Sequence, residues 1–120
     1  MKRIILYLIF IFSTLHVSSQ SCDEIMASVK SKGYGSTYSS YNSDAISKVT
    51  FYDMTIDYNT YYFAIVCFKS EYSYGCTEYI YQVASSTKMN YSMNYTQSAG
   101  KAFWKYIDPY GDNLGCGPNL

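Results

Sequence analysis

The tract from Tyr61 to Val83 leaves this chain few ways to fold. Tyr61-Tyr62-Phe63-Ala64-Ile65-Val66-Cys67-Phe68 is almost entirely β-branched and aromatic, a composition suited to a pleated, buried surface. Cys76-Thr77-Glu78-Tyr79-Ile80-Tyr81-Gln82-Val83 has the same character. The stretch between them, Lys69-Ser70-Glu71-Tyr72-Ser73-Tyr74-Gly75, is polar and ends in glycine, as a hairpin loop does. Two antiparallel strands, 61–68 and 76–83, are expected, and the remaining elements can be placed against them.

That hairpin carries two of the four cysteines, Cys67 and Cys76; Cys22 and Cys116 lie near the ends. The compartment follows from the start of the chain. Lys2-Arg3, then an apolar run from Ile4 to Phe12, then small and polar residues from Ser13 to Gln20 have the form of a secretory signal peptide. The apolar run is too short to span a bilayer. Cleavage after Ser19, with Val17 and Ser19 as the small residues of the site, gives a free N-terminus; Ser19 stands where a lipobox preceding Cys22 would want Leu. The product is a secreted or periplasmic chain with no membrane attachment. Its loss of Lys2 and Arg3 leaves it slightly acidic, and its only histidine, His16, departs with the leader.

An even number of cysteines in a small exported chain reads as disulfides. Three pairings are possible. Setting Cys67 opposite Cys76 places Phe68 against Gly75 and Ile65 against Glu78, a workable hairpin register. Cys22 would then bond Cys116 and tie the ends of the domain together, which is the favoured arrangement.

About 100 residues suffice for one domain with a single core. Ser21-Cys22-Asp23-Glu24 has the form of a capping box. Cys22, Ile25, Met26 and Val29 follow at helical spacing, with Gly33 as the stop. Residues 34–43, Tyr-Gly-Ser-Thr-Tyr-Ser-Ser-Tyr-Asn-Ser, have no period and read as an ordered loop or irregular strand. Ile46 to Tyr52 is a strand with Val49 and Phe51 on one side and Lys48 and Thr50 on the other, and Asp53 to Asn59 is a turn. The repeat Met89-Asn90-Tyr91-Ser92, Met93-Asn94-Tyr95-Thr96 suits a short helix capped by Ser86 or Thr87. A last helix begins at Ser98, with Ala99, Phe103 and Ile107 in one row and Ala102 with Tyr106 in the next. The architecture expected is α+β. A small antiparallel sheet of about three strands (46–52, 61–68, 76–83) is packed by C-terminal helices (87–95, 98–107) and an N-terminal helix (22–32). Residues 1–19 are the signal, 20–42 the N-terminal helix with its Tyr/Ser-rich loop, and 108–120 a tail pinned by Cys116.

Within residues 43–107 the chain resembles a known small module. Ser43-Asp44-Ala45-Ile46 opens a strand, Tyr62 to Phe68 forms another, and Tyr79-Ile80-Tyr81 precedes Val83. Ser98-Ala99-Gly100-Lys101-Ala102-Phe103 then starts a helix that reaches Ile107. This looks like the KTSC domain, marked by a Tyr-x-Tyr strand and a Ser-x-Gly-Lys-x-Phe helix start. That domain is found at the C-terminus of some lysyl-tRNA synthetases and alone in short bacterial proteins. Tyr72-Ser73-Tyr74 is a second Tyr-x-Tyr tract, but the distance from Tyr79-Ile80-Tyr81 to Ser98 fits better. The whole chain is similar to small exported proteins of flavobacteria. The resemblance implies RNA contact, through Tyr79, Tyr81, Lys101 and Lys105. Export, disulfide bonding and charge argue against it: phosphate neutralisation supplies most non-specific affinity, and no basic cluster survives removal of the leader.

Catalysis with a histidine base has no candidate beyond the leader. Ser98 and Lys101 match Ser-x-x-Lys, a nucleophile signature, but no Lys-Thr-Gly strand accompanies them. Ser98 as a helix cap, Gly100 as a close-packing glycine and Lys101 as a solvated cation account for the same residues. Asp53 and Asp57 belong to a turn, and with Asn59 they fit no EF-type calcium loop. Without a CxxC pair or a remaining histidine, zinc has little to bind. No metal, cofactor or enzymatic activity is expected. Asn90-Tyr91-Ser92 and Asn94-Tyr95-Thr96 match the glycosylation pattern but follow from the four-residue repeat.

Tyrosine is the unusual element, at 16 residues in the chain with only Tyr7 in the leader. It offers apolar area with a polar tip at small entropic cost, which binding surfaces exploit. Tyr79 and Tyr81 share one strand face, either as half of a stacking platform or as a layer beneath the Ser98 helix. Trp104 is expected in the core, with a ligand surface as the alternative. The expected function is a small exported, disulfide-stabilised binding domain that uses a Tyr-rich sheet face. Its partner would be an extracellular or periplasmic protein, a glycan or a second copy.

Overall fold

The computed structural model describes residues 22–70 and 74–120. The leader with its cleavage site, the Ser21 cap, and Tyr72 and Ser73 of the first Tyr-x-Tyr tract lie outside the described residues. In chain order the elements are helix α1 over 22–32 and strands β1 (Tyr34–Ser39), β2 (Ile46–Ile56), β3 (Asn59–Lys69) and β4 (Cys76–Val83). Helices α2 (Thr87–Asn94) and α3 (Ala99–Tyr106) follow, and then a 3₁₀ helix, Asp108–Asn113. The strands form an antiparallel meander in the order β1-β2-β3-β4.

Alternation along the strands divides the sheet into two apolar faces. Val49, Phe51, Ala64, Val66, Tyr81 and Val83 point to one side, where Tyr91 of α2 and Ala99, Ala102, Phe103 and Ile107 of α3 and its C-cap cover them. Phe63, Ile65 and Ile80 point to the other side, where Val29, Ile25 and Met26 of α1 pack together with Leu114 and Cys116 of the tail. The sheet therefore sits between two helical layers. Simple alternation would turn Ile46 toward the α1 side, with Lys48. A bulge between Ile46 and Lys48 resets it, pairing Ile46 with Phe68, and Ile46 joins Val49 in the core.

Both disulfides form in the favoured pairing: Cys22–Cys116 with Cα atoms 5.7 Å apart and Cys67–Cys76 with Cα atoms 5.3 Å apart. Such bonds mark an oxidising compartment. The hairpin register differs from the expected one by two residues. Cys67 lies opposite Glu78 and Cys76 opposite Lys69, while Ile65 faces Ile80. The bond thus runs diagonally between neighbouring positions of one face, and an even slip leaves every side chain on its expected side. On the α1 side, Lys30 also reaches Glu78 of β4, Nζ to Oε1 at 2.5 Å.

Two local expectations need correction, and a third holds for a different reason. The Tyr/Ser-rich stretch after Gly33 is a regular edge strand, so the sheet has four strands. Tyr38 pairs with Val49 and Ser36 with Phe51, and β2 supplies the order that the sequence of β1 lacks. Asp53 to Ile56 and Asn59 belong to strands, leaving a two-residue turn at Asp57 and Tyr58. Both have positive φ (51° and 68°), the geometry whose twist matches paired strands. Gly33 does end α1, its amide bonding to Val29 O, but without positive φ. It is required for closeness, since a Cβ there would lie 3.0 Å from Val29 O and 3.2 Å from Asp53 O.

Candidate functional site

Tyr79 and Tyr81 lie beneath α3. Tyr81 is buried, its ring edge-on to Phe103 at 5.6 Å. Its hydroxyl reaches the tail, where a Cβ on Gly117 would come within 2.9 Å of it. Burial, with the charges of Asp108 and Tyr79 adding, pushes its phenol up to about 12. Tyr79 is half-buried, edge-on to Phe68 at 5.8 Å. Of the two roles open to this pair, the layer under the helix is the one they occupy.

Lys101, Trp104 and Lys105 stand on the opposite, solvent side of α3. Trp104 is 55% exposed, which overturns the core position expected for it: Ala99, Ala102, Phe103 and Ile107 already fill the inward face. A helix with its side chains is about 10 Å across, so α3 itself separates these three residues from Tyr79 and Tyr81. The five do not form one surface. Lys101 and Lys105 border a hollow of about 240 Å³ with Asn94 and Tyr106, and Lys105 Nζ lies 5.3 Å from the centre of the Tyr106 ring. Ser98 Oγ accepts from the Lys101 amide at 3.2 Å, the expected N-cap. The expectation for Gly100 fails, because a Cβ there would meet nothing within 4 Å.

Both sheet faces are covered, and among the described residues the most exposed tyrosines stand at strand ends and turns. Tyr34, Tyr41, Tyr58 and Tyr74 are between 91% and 112% exposed. The meander places Tyr34 and Tyr58 at one end of the sheet and Tyr41 and Tyr74, in the β1–β2 and β3–β4 connections, at the other.

The second end also holds a cleft of about 470 Å³ between residues 39–45 and the α2–α3 link, 95–100. Local bonding fixes both walls. Ser40 N donates to Ser47 O, Ile46 N to Ser43 Oγ, and Lys69 N to Ala45 O, while Lys69 Nζ bonds Ser43 O. On the far wall, Gln97 N and Ser98 N both donate to Asn94 O, and Tyr95 stacks on Tyr91 with ring centres 5.5 Å apart. The lining is hydroxyl and carboxamide, with Asp44 its one carboxylate and neither Lys nor Arg among its residues.

Under the near wall, at Ser40, lies a buried polar pair. Ser40 Oγ and Tyr91 Oη are both buried and have no hydrogen-bond partner in bonding geometry. They are nonetheless near one another: burial pushes the Tyr91 phenol up to about 12, and the Ser40 hydroxyl pulls against that rise. The pair is at most weakly satisfied.

The sequence reading missed this cleft, although the Tyr-Ser-Ser-Tyr-Asn-Ser composition of its near wall was a usable signal. Among the described residues no group of three or more His, Cys, Asp or Glu side chains converges as a metal site, and no helix is long and apolar enough to cross a membrane. Compared with protein-family models, curated proteins and solved structures, the chain matches none.

Proposed function

We propose that this chain is a small exported binding domain whose recognition surface is the loop end of the sheet, carrying Tyr41 and Tyr74. The observation that carries the reading is the near-complete exposure of both rings at one end of the sheet, where Tyr41 also lines a concave cleft. Rigid aromatic side chains among Ser and Asn are the composition of recognition loops, and a disulfide-tied sheet holds those loops at low entropic cost to binding. Export through the leader agrees with the oxidised cysteines. Binding without catalysis agrees with a Ser98 hydroxyl engaged as a helix cap.

The test is retention of cell-envelope fractions (polysaccharide, protein and lipid, separately) on the immobilised, oxidised domain. One fraction should be held by the native protein and released by a Tyr41→Ser, Tyr74→Ser variant. No difference between the two proteins in any fraction refutes the proposal.

A second reading, RNA contact as implied by the KTSC resemblance, has one observation in its favour: Lys101, Trp104 and Lys105 share the exposed side of α3. A ring and two cations on one helix could stack and neutralise a short single strand. Fluorescence anisotropy with single-stranded RNA at low salt decides it, and absence of binding ends it.

A further inference from the structure

We propose that the cleft between residues 39–45 and 95–100 is a subsite for a neutral oligosaccharide. The inference rests on the loop-end binding reading and names its ligand class. The cleft volume, about 470 Å³, lies within the range of small-ligand sites, roughly 300–1,000 Å³. Its charge does not favour anions: Asp44 is the one charged side chain in the lining, and the nearby Lys69 ammonium is engaged by Ser43 O.

A sugar hydroxyl both donates and accepts, and that is what the lining lacks. Ser43 Oγ and Ser98 Oγ are already engaged by Ile46 N and Lys101 N. Ser40 Oγ and Tyr91 Oη lie shut from water with no partner in bonding geometry, so a turn of the Ser40 side chain toward the cleft would give its hydroxyl a ligand partner. Asn42, Asp44 and Gln97 add planar donors and acceptors to the same walls. Tyr41, 91% exposed at the rim, offers a ring face to the C–H side of a sugar. Gly100 also lines the cleft, and a methyl group on it would meet no protein atom. Glycine there leaves the first turn of α3 bare toward the cleft.

The experiment is a titration of the oxidised domain followed by amide proton–nitrogen NMR. The probes are the hexasaccharides of cellulose, starch, xylan, mannan and chitin, with an oligogalacturonate as the acidic control. At least one neutral probe should shift amides of residues 39–45 and 95–100 and saturate below about 10 mM. Ser40→Ala and Tyr41→Ala should each weaken that binding about tenfold. Gly100→Ala should weaken it while raising the melting temperature, since alanine favours the helix. Tyr58→Ala, at the far end of the sheet, should leave it unchanged.

The inference is overturned if no neutral probe moves these amides, or if oligogalacturonate binds as well as they do. Should a protein fraction instead be retained through Tyr41 and Tyr74, the oligosaccharide is wrong and the binding reading stands. If nothing is retained either, both fall.

Discussion

Replacing Cys22 and Cys116 together by alanine removes the bond that closes nearly the whole described chain. Its sequence separation is 94, against 9 for Cys67–Cys76. In the chain-entropy model those closures stabilise by about 4.7 and about 2.7 kcal/mol respectively. The unfolding entropy of a domain of about 100 residues, roughly 0.2 kcal/mol per degree, converts these into falls in melting temperature of roughly 20 °C and 13 °C. Packing narrows the gap. Cys67 is 2% exposed whereas Cys22 and Cys116 are half-buried, so alanine at the inner pair leaves a small cavity costing about 1 kcal/mol more. The outer bond should still dominate. It also fixes α1 over Phe63, Ile65 and Ile80, a face that its release would open to water; the Lys30–Glu78 ion pair is too exposed to hold the helix alone. Thermal and urea unfolding by circular dichroism, under non-reducing conditions, should rank native above inner-bond variant above outer-bond variant. An inner-bond variant as unstable as the outer one, or less stable, would refute the loop-length argument.

Three further outcomes follow from the same packing. Tyr58 holds φ at 68° with its side chain wholly exposed, so Tyr58→Gly relieves left-handed strain of about 1 kcal/mol and should raise the melting temperature by roughly 5 °C; a fall shows that the ring is held by something. At Gly35 a Cβ would approach Tyr52 Cε1 to 2.8 Å and Thr50 Cγ2 to 2.9 Å, so Gly35→Ala should cost about 1–3 kcal/mol in urea unfolding, and a neutral result means that β1 shifts freely. Tyr81 and Tyr91 have phenols raised from 10.0 to about 12. Because the unfolded phenols ionise first, stability is full below pH 10 and is lost as pH rises from 10 toward 12. Melting temperature should fall across that window and fall less in Tyr91→Phe, which at neutral pH should be neutral or stabilising by up to about 1 kcal/mol because the deleted hydroxyl has no bonded partner.

The legible parts of the fold were those in which a local pattern and the tertiary structure agree. Val49 and Phe51 alternate against Lys48 and Thr50, and the Ala99–Phe103–Ile107 row has helical period; both faces are where alternation and period put them. β1 was not legible because Tyr-Gly-Ser-Thr-Tyr-Ser has no apolar alternation, and its order comes from the register with β2. The turn between β2 and β3 was legible, but its two-residue width at Asp57-Tyr58 was hidden by the absence of glycine where both residues take positive φ. The hairpin register slipped because two bonded cysteines need not be directly opposite. The candidate site was the least legible part, since nothing local separates the tyrosines that fill space from those that face water. Tyr81 and Tyr41 are chemically alike, and only the position of α3 and the path of the β1–β2 loop make one buried and the other 91% exposed.

That division of one residue type bears on function. Tyr38, Tyr81, Tyr91 and Tyr95 do in this core what leucine or isoleucine does elsewhere, and edge-on and stacked contacts link them to Phe51, Phe103 and one another. A chain rich in tyrosine for packing alone would leave its exposed turns to Gly, Asn or Ser, where ring area gains nothing in folding. Here Tyr58 occupies a strained turn position and Tyr41 the rim of a polar cleft. Tyr41 is the more informative of the two. It stands beside buried hydroxyls that the fold leaves incompletely bonded, a cost to stability that a bound polar ligand would offset by drawing the Ser40 side chain into the cleft. Stability and binding should therefore respond in opposite directions at this end of the sheet. Gly100→Ala, and Tyr91→Phe read through Ser40, are the substitutions at which that opposition can be measured.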